Sequence, residues 1–308
     1  MKQISTNITP VTIGICTLNC ERTIEGTLQS IINLIYPPDS IQIVLVDGKS
    51  KDNTLKIAVR ILNNSKFNWE IVSDDGRGLG YARQLIVEHS KGIYLGFVDS
   101  DQQLHPTWLN MAIEHLKSDP KVAAVRGVQG LTYNLPLSGA LENYVKYIDE
   151  HEAPLECKVD YFGLGGSVLK KAAVVDAGGF RAMFRFVSED TDLAARLKRL
   201  GYKIHNLQSA IFYHYSRPTW QALFKQSRGY GYYFRTIEKI YKEEARNYRL
   251  LIALWNILYC PLISVRTIFK AYKFTKDKRC VLMPFYYAFR LSAWTIGYAS
   301  ARYVSKRK

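Results

Sequence analysis

Acidic residues nearly vanish from the last third of this 308-residue chain, its cysteines are few and scattered, no glycine-rich loop follows the first apolar run, and the apolar stretches near its end are interrupted. Each absence excludes something. The five cysteines (Cys16, Cys20, Cys157, Cys260, Cys280) are odd in number and scattered, so no disulfide framework is implied. Cys16 and Cys20 lie four apart, but no second Cys or His pair completes a zinc set. Reduced thiols and a cytosolic compartment are the reading that follows. The opening residues MKQISTNITP contain no apolar core segment, which predicts no secretory signal peptide. There is no Pro/Gly/Ser linker, no fixed-period repeat and no low-complexity tract.

Two apolar stretches close the chain, and neither is clean. Leu250 to Val265 is broken by Pro261, and Val281 to Ala299 carries Arg290 near its middle. A spanning helix needs about 20 consecutive apolar residues. The missing acid is localised too. Residues 1–215 hold 23 Lys+Arg against 23 Asp+Glu, whereas residues 216–308 hold 19 against 4, the whole of the net +15. That asymmetry predicts a neutral body, residues 1–215, joined to a basic, aromatic, helical region, residues 216–308, that meets something anionic. If both apolar stretches spanned, the basic clusters Lys270–Arg279 and Arg302–Lys308 would face opposite sides, against the positive-inside tendency. Helices lying in the interface, with Trp255, Trp294 and tyrosines at headgroup depth, fit better. Apolar runs and tryptophans suit lipid rather than nucleic acid.

What the chain does have is a 47% hydrophobic share with 22% charged residues, which suits a globular body with a sizeable core. Apolar β-branched runs alternate with helical periodicity. VTIGICTL, IQIVLVD, FNWEIV and GIYLGFVD read as strands, separated by helices over Arg22–Ile35, Asp52–Leu62 and Leu79–His89. A further helix runs from His105 to about Lys117. This order predicts an α/β fold with a parallel sheet covered by helices, ligands binding at the carboxyl ends of the strands. Beyond Lys121 we expect a strand at VAAVRGV, a helix from Leu137 to Ile148 and a Gly-interrupted strand from Tyr161 to Lys170. A helix from Glu189 to Leu200 and short strands around Tyr202–Tyr215 follow.

The sharpest chemical signal is GFVDSDQQL. Asp99 and Asp101 stand one residue apart at the end of a wholly apolar strand, where two carboxylates can reach a divalent metal. Hard oxygen ligands suit Mn2+ or Mg2+, and such a metal would stabilise a nucleotide diphosphate as leaving group. In FRFVSEDTDLAARL, Glu189 and Asp190 lie at a helix start, where carboxylates serve as caps; one of them can instead be a general base. Arg217, Arg228 and Arg235, in RPTWQALFKQSRGYGYYFR, can hold a lipid phosphate or form the solvated face of an amphipathic helix.

Five blocks in order resemble glycosyltransferase family 2 with its GT-A fold, over roughly residues 10 to 215. They are VTIGICTLNCERTIEGTLQSI, IVLVDGKSKDNT, GRGLGYARQ with KGIYLGFVDSDQQLHPTWL, YFGLGGSVLKKAAVVDAGGF, and SEDTDLAARLKRLGYKI. The resemblance implies a GT-A Rossmann-like sandwich that binds a nucleotide-diphosphate sugar. It sets Asp47 at the donor's nucleoside and Asp75 near the base, with Arg77 and Gly78 on the loop beside it. Asp99 and Asp101 face donor and metal, Asp190 is the catalytic base, and Glu189 lies on the acceptor side. Asp99, Asp101 and Gln103, with His105-Pro106, also match the D-x-D-x-Q pattern of polyprenyl-phosphate hexose synthases, and His214 sits where some relatives place a further metal ligand. Gly48 stands where the family often has a second acid. QSRGY, from Gln226, lacks the Trp of the processive polymerases.

The implied activity is inverting, metal-dependent transfer of a sugar to a lipid-linked or polyprenyl-phosphate acceptor, at the cytoplasmic face of the membrane. Attachment there would be peripheral, monotopic or through a short C-terminal hairpin. A soluble or polysaccharide acceptor stays open, as does a degenerate nucleotide-sugar-binding module, although Asp99, Asp101 and Asp190 are intact. A nucleotidyltransferase is disfavoured because TLNCERT, after the first strand, has no glycine.

Overall fold

Val11–Thr17, the first β-branched run, forms strand β1, and β2 (Ile41–Asp47) beside it is buried at every position, as a strand covered on both faces must be. The computed structural model describes residues 10–157, 162–215, 219–240 and 260–301. The remaining strands are β3 (Asn68–Ser73), β4 (Tyr94–Asp99), β5 (Gln102–Leu104), β6 (Val122–Gln129), β7 (Ser167–Lys170) and β8 (Lys203–His214). They form one sheet in the order β3-β2-β1-β4-β7-β6-β8-β5. The first four are parallel, as their alternation with helices requires. The others make the sheet mixed: β7 runs antiparallel to β4 and β6, and β5 antiparallel to β8.

Two differences from the sequence reading have local causes. Strand β5 was not expected, because its three residues follow directly on Asp99–Asp101 and carry no periodicity of their own. The Gly-interrupted strand begins only at Ser167, since Gly166 adopts φ +77 and turns the chain into it.

Helices α1 (Ile24–Ile32), α2 (Thr54–Asn63), α3 (Leu79–His89), α4 (Trp108–Ser118), α6 (Lys171–Asp176) and α7 (Glu189–Arg199) belong with this sheet, and α5 (Leu137–His151) does not. One core lies against α1, α2 and α4, with Ile13, Leu28, Ile43, Leu62 and Trp108 fully buried. The other lies against α3, α6 and α7 through Val46, Ile86, Phe97, Leu169 and Leu193. Each such side chain contributes roughly 1.5–3 kcal/mol of burial, an upper estimate for a chain that unfolds incompletely.

Cα packing divides the chain into two units. The first is Met1–Gly130, Ala153–Arg185 and Glu189–His214; the second is Leu131–Glu152, Phe186–Ser188 and Tyr215–Lys308. The second unit thus takes in α5, which the sequence reading placed with the neutral body. Its other helices are α8 (Trp220–Ile240), α9 (Cys260–Thr275) and α10 (Met283–Ser300). Its core is Leu141, Tyr144, Ile148, Leu223, Met283 and Tyr286. Helices α8 and α10 approach closely because a Cβ at Gly231 would fall on the Trp294 carbonyl and one at Gly297 on that of Arg228. Arg290 does not face outward from its apolar stretch. It is half-buried, donating from Nη1 to the Tyr286 hydroxyl (3.0 Å) and from Nε to Ser227 Oγ (3.3 Å). Among the described residues no helix is long and apolar enough to cross a membrane. Residues 250–259 of the first apolar stretch, and Arg302 to Lys308, lie outside the described residues.

One histidine in the first unit bears on how stability depends on pH. His115 on α4 and His205 on β8 share a hydrogen bond of 2.9 Å between Nε2 and Nδ1. Burial, then the charges of His115 and Lys203, hold the His205 pKa below its ordinary 6.5, with Glu156 and Asp119 opposing. The unfolded chain therefore takes up this proton more readily than the folded one. Stability from neutral His205 is complete above the ordinary pKa and is lost as pH falls through it toward the lowered value. We expect the melting temperature to drop between pH 7.5 and 5, and His205→Gln to flatten that slope; an equal slope in the variant would assign the effect elsewhere.

Candidate active site

Parallel strands β1, β2 and β4 end side by side, so Thr17, Asp47 and Asp99 reach one edge of the sheet. This edge is also where strand order reverses, with β2 and β3 on one side of β1 and β4 on the other. Asp99 closes β4, and its N–H donates to Gln102 Oε1 (3.1 Å), which curls the chain into β5. Thr27 of α1 donates its hydroxyl to the Ser100 carbonyl (3.0 Å) and fastens the turn from below. Gly165 completes the wall: a Cβ there would meet Asp99 Cγ and Gln102 Nε2, each at 2.7 Å.

Asp101 and His214 are brought together from residues far apart in sequence. Pairing of β5 with β8 sets Gln102 opposite His214, and His214 Nε2 lies 3.1 Å from Asp101 Oδ1. Gln103 goes elsewhere. Alternation along β5 sends it to the opposite face from Gln102, where its amide packs over Gly26 of α1.

The donor-side loops are built around two carboxylates. Asp47 accepts from Thr17 Oγ1 (3.0 Å), Ser50 N (2.9 Å) and Ser50 Oγ (2.6 Å), so it organises its own turn. A carboxylate has about four lone-pair sites, which leaves one for a ligand. Asp75 adopts φ +55 and points to solvent, with Lys49 Nζ 3.5 Å away. The residue beside it does the holding. Asp74 is buried and accepts from the N–H groups of Gly76 (2.7 Å) and Gly78 (3.1 Å). Gly78, at φ +100, starts α3, and a side chain there would strike the Arg185 carbonyl. Arg77 stacks its guanidinium over the Tyr81 ring at 3.4 Å.

The acid motif sorts itself once its partners are known. Asp192 is fully buried between two arginines, with Oδ1 accepting from Arg181 (3.1 Å) and Oδ2 from Arg196 Nε and Nη2 (3.0 and 2.6 Å). Glu189 is buried against the Arg83 guanidinium, and its Oε2 has no hydrogen-bond partner among the described residues. Asp190 is half-buried and accepts from the Thr191 N–H (2.7 Å), and no cation pairs with it among the described residues. Of the three acids, Asp190 is the one whose charge is not already matched.

Arg83 was not singled out from the sequence. It is buried on α3, and besides Glu189 it reaches Asp99 Oδ1 at 3.3 Å. An arginine on the inward face of a helix, where apolar residues are the rule, was the available signal. Cys16 lies beside Asp99 in the β1–β4 register; burial, opposed by Arg83, pushes its thiol up to about 12, so it is no nucleophile at neutral pH.

Among the described residues no three His, Cys, Asp or Glu side chains converge into a metal cage of their own. Asp101 and His214, in contact with one another, offer hard oxygen and one imidazole, chemistry that suits Mn2+ or Mg2+ if a diphosphate supplies further ligands, and Asp99 closes the neighbouring strand.

The second unit holds a cavity of about 660 Å3, lined by Phe186 and Val187 with Ala222, Gln226, Arg228 and Tyr233 of α8 among others. Arg228 thus lines a pocket, whereas Arg235 is spent on packing: its Nη1 donates to the Tyr298 carbonyl (3.1 Å). Arg217 lies outside the described residues.

Comparison with known proteins agrees with this geometry. A family model described as glycosyl transferase family 2 matches residues 12–191. Glycosyltransferase AglE of Haloferax volcanii is 27% identical over 220 residues, 71% of each chain. Poly-beta-1,6-N-acetyl-D-glucosamine synthase of Staphylococcus aureus is 25% identical over 225 residues, 70% of this chain; the chain spans about half of that protein (52%). Among solved structures, the mannosyltransferase PcManGT from Pyrobaculum calidifontis, in complex with GDP-Man and Mn2+, has TM-score 0.67 at 18% identity, covering 96% of this chain and 88% of that one. S. aureus TarS 1-349 in complex with UDP-GlcNAc has TM-score 0.55 at 14% identity, covering 94% and 91%. These structural likenesses establish a GT-A fold.

Removing the Arg83 guanidinium strands a buried carboxylate, which costs about 3–5 kcal/mol. We expect Arg83→Met to destabilise the protein by that order in denaturant melts. Adding Glu189→Gln should recover most of the loss without restoring activity. A double variant no more stable than the single one would mean that the pair does not hold the site.

Proposed function

The chain belongs to glycosyl transferase family 2, and from that premise we propose that it moves a sugar from a nucleotide-diphosphate sugar to a lipid-linked acceptor, polyprenyl phosphate by chemical class, with inversion at the anomeric carbon. The observation that carries this reading is the sorting of the acid motif, which leaves Asp190 unmatched while Glu189 and Asp192 are paired with arginines.

The acceptor oxygen attacks the anomeric carbon from the face opposite the diphosphate; the new C–O bond forms as the bond to the diphosphate oxygen breaks. Asp190 takes the proton of a hydroxyl acceptor. An acceptor phosphate is already anionic, and Asp190 then positions it. Asp99, Asp101 and His214 are the residues that would hold Mn2+ or Mg2+, whose chemistry there is to neutralise charge developing on the leaving diphosphate. Asp47, Asp74 and Gly78 shape the loops that receive the nucleoside, and Arg83 keeps Asp99 and Glu189 in register. That PcManGT was solved with GDP-Man and Mn2+, and TarS with UDP-GlcNAc, supports a nucleotide-sugar donor.

A lipid acceptor is supported by the basic last third and by the cavity beside Arg228, whose Phe186–Val187 rim lies a few residues before Asp190 in sequence. We place the protein at the cytoplasmic face of the membrane on the same grounds. A polysaccharide acceptor is favoured by one observation, the similarity to the poly-beta-1,6-N-acetyl-D-glucosamine synthase of S. aureus. Against it, QSRGY lacks the tryptophan of processive polymerases.

The test is release of nucleotide diphosphate from a panel of UDP- and GDP-sugars, with and without Mn2+, with polyprenyl phosphate in detergent or a soluble glycan added. We expect metal-dependent release from one donor, raised by the lipid and lost in Asp101→Ala. Stimulation by the glycan alone would replace the acceptor. No release and no donor binding by calorimetry would leave a nucleotide-sugar-binding module without activity.

A further inference from the structure

Helix α9 buries the wrong residues for a protein in water. Its inward positions are Ser264 (0% exposed), Thr267 and Ala271 (1%), small or hydroxylated side chains. Its outward face carries Leu262 (66% exposed), Val265, Phe269 (73%) and Tyr272. At 100° per residue those four fall within one arc of the helix, so they form a stripe rather than a scatter. Thr267 satisfies its hydroxyl inside, donating to the Ile263 carbonyl at 2.8 Å. The next segment extends the exposed apolar face. Val281, Leu282 and Phe285 are exposed, while Met283 and Tyr286 turn inward and the half-buried Arg290 bonds to the Tyr286 hydroxyl. Single exposed apolar residues need no explanation, but large apolar side chains outside and polar ones inside do.

Charge says what covers this face. Lys273, Lys276 and Lys278 are exposed at the end of the stripe. Between residues 260 and 301 the sole acid is Asp277, and it is already committed. It accepts from Arg279 N (2.8 Å) and Nε (2.7 Å) and from the Tyr144 hydroxyl, and the Arg279 hydrogen bonds hold its pKa down at about 2. The cations beside the stripe therefore have no acidic neighbour on their own segment to neutralise them. A partner must be apolar in its depth and anionic at its surface. A second copy of this segment is apolar but cationic, and would be repelled.

We infer that the outward face of α9, continued by Val281, Leu282 and Phe285, is a monotopic docking surface for an anionic lipid bilayer. Phe269 and Leu262 enter the acyl boundary, and Lys273, Lys276 and Lys278 meet the phosphates. No spanning helix is required. This deepens the membrane part of the proposed function, and vesicle binding is read without sugar transfer, so the two can fail separately.

The test uses the whole chain with sedimented vesicles of pure phosphatidylcholine and of phosphatidylcholine with phosphatidylglycerol. We expect binding to the anionic vesicles, weakened by at least about tenfold in Leu262→Ser/Phe269→Ser and by a similar factor in Lys273→Gln/Lys276→Gln/Lys278→Gln. Both variants alter exposed side chains, so their melting temperatures should match the parent; this separates a lost surface from a lost fold. Binding unchanged in the serine variant would overturn the insertion. So would a parent dimer, measured by light scattering, that becomes monomeric in that variant, since a second copy would then own the face.

Discussion

Arg83 is buried with a carboxylate on either side of it, and the positions of Asp99 and Glu189 depend on that placement. Asp99 ends a strand and Glu189 begins a helix ninety residues later, so backbone hydrogen bonding alone does not relate them. A guanidinium presents five donors in a rigid plane, which lets one side chain engage both acids at once. It is also always charged, so the site keeps a fixed positive centre in a region crowded with carboxylates. Burial makes the arrangement exacting, because a charge left alone there is costly. The same economy appears at Asp192, shared between Arg181 and Arg196. These pairings match two of the three acids in the motif with arginines, and Asp190 has no such cation among the described residues.

The sheet supplies the second constraint. Parallel strands that start at one side end at the other, so groups closing β1, β2 and β4 collect along one edge without any further instruction. Antiparallel β5 then folds back from Asp99, and its pairing with β8 delivers His214 to Asp101. The glycines matter where backbone passes close to this edge. Gly165 leaves space against Asp99, and Gly78 lets α3 begin beneath the segment that leads to the acid motif.

The helical unit obeys a different rule. In the sheet unit, apolar side chains fill the interior, and charged ones there are paired, as Arg83 and Asp192 are, or held by N–H and hydroxyl donors, as Asp47 and Asp74 are. In α9, Ser264, Thr267 and Ala271 turn inward while Leu262 and Phe269 turn outward, and Phe285 at the start of α10 is exposed as well. The two patterns together describe a chain whose parts are suited to different surroundings. The charge excess of residues 216–308, 19 basic against 4 acidic, is consistent with this stretch meeting an anionic surface.

Much of this was legible in the residues themselves. Apolar strands alternating with helical periods required an α/β sheet, and the uninterrupted run before Asp99 put that aspartate at a strand end, because strand direction and burial are local properties of sequence. The charge excess of residues 216–308 was a matter of composition. What the sequence could not assign was partnership. That Asp74 rather than Asp75 carries the loop, that Gln103 faces α1, that Arg83 joins two motifs, and that α5 packs with the C-terminal helices all depend on contacts between residues distant in the chain. Side-chain period and charge are encoded one residue at a time, whereas which acid keeps an unmatched charge is decided only when folding brings its competitors' cations into place.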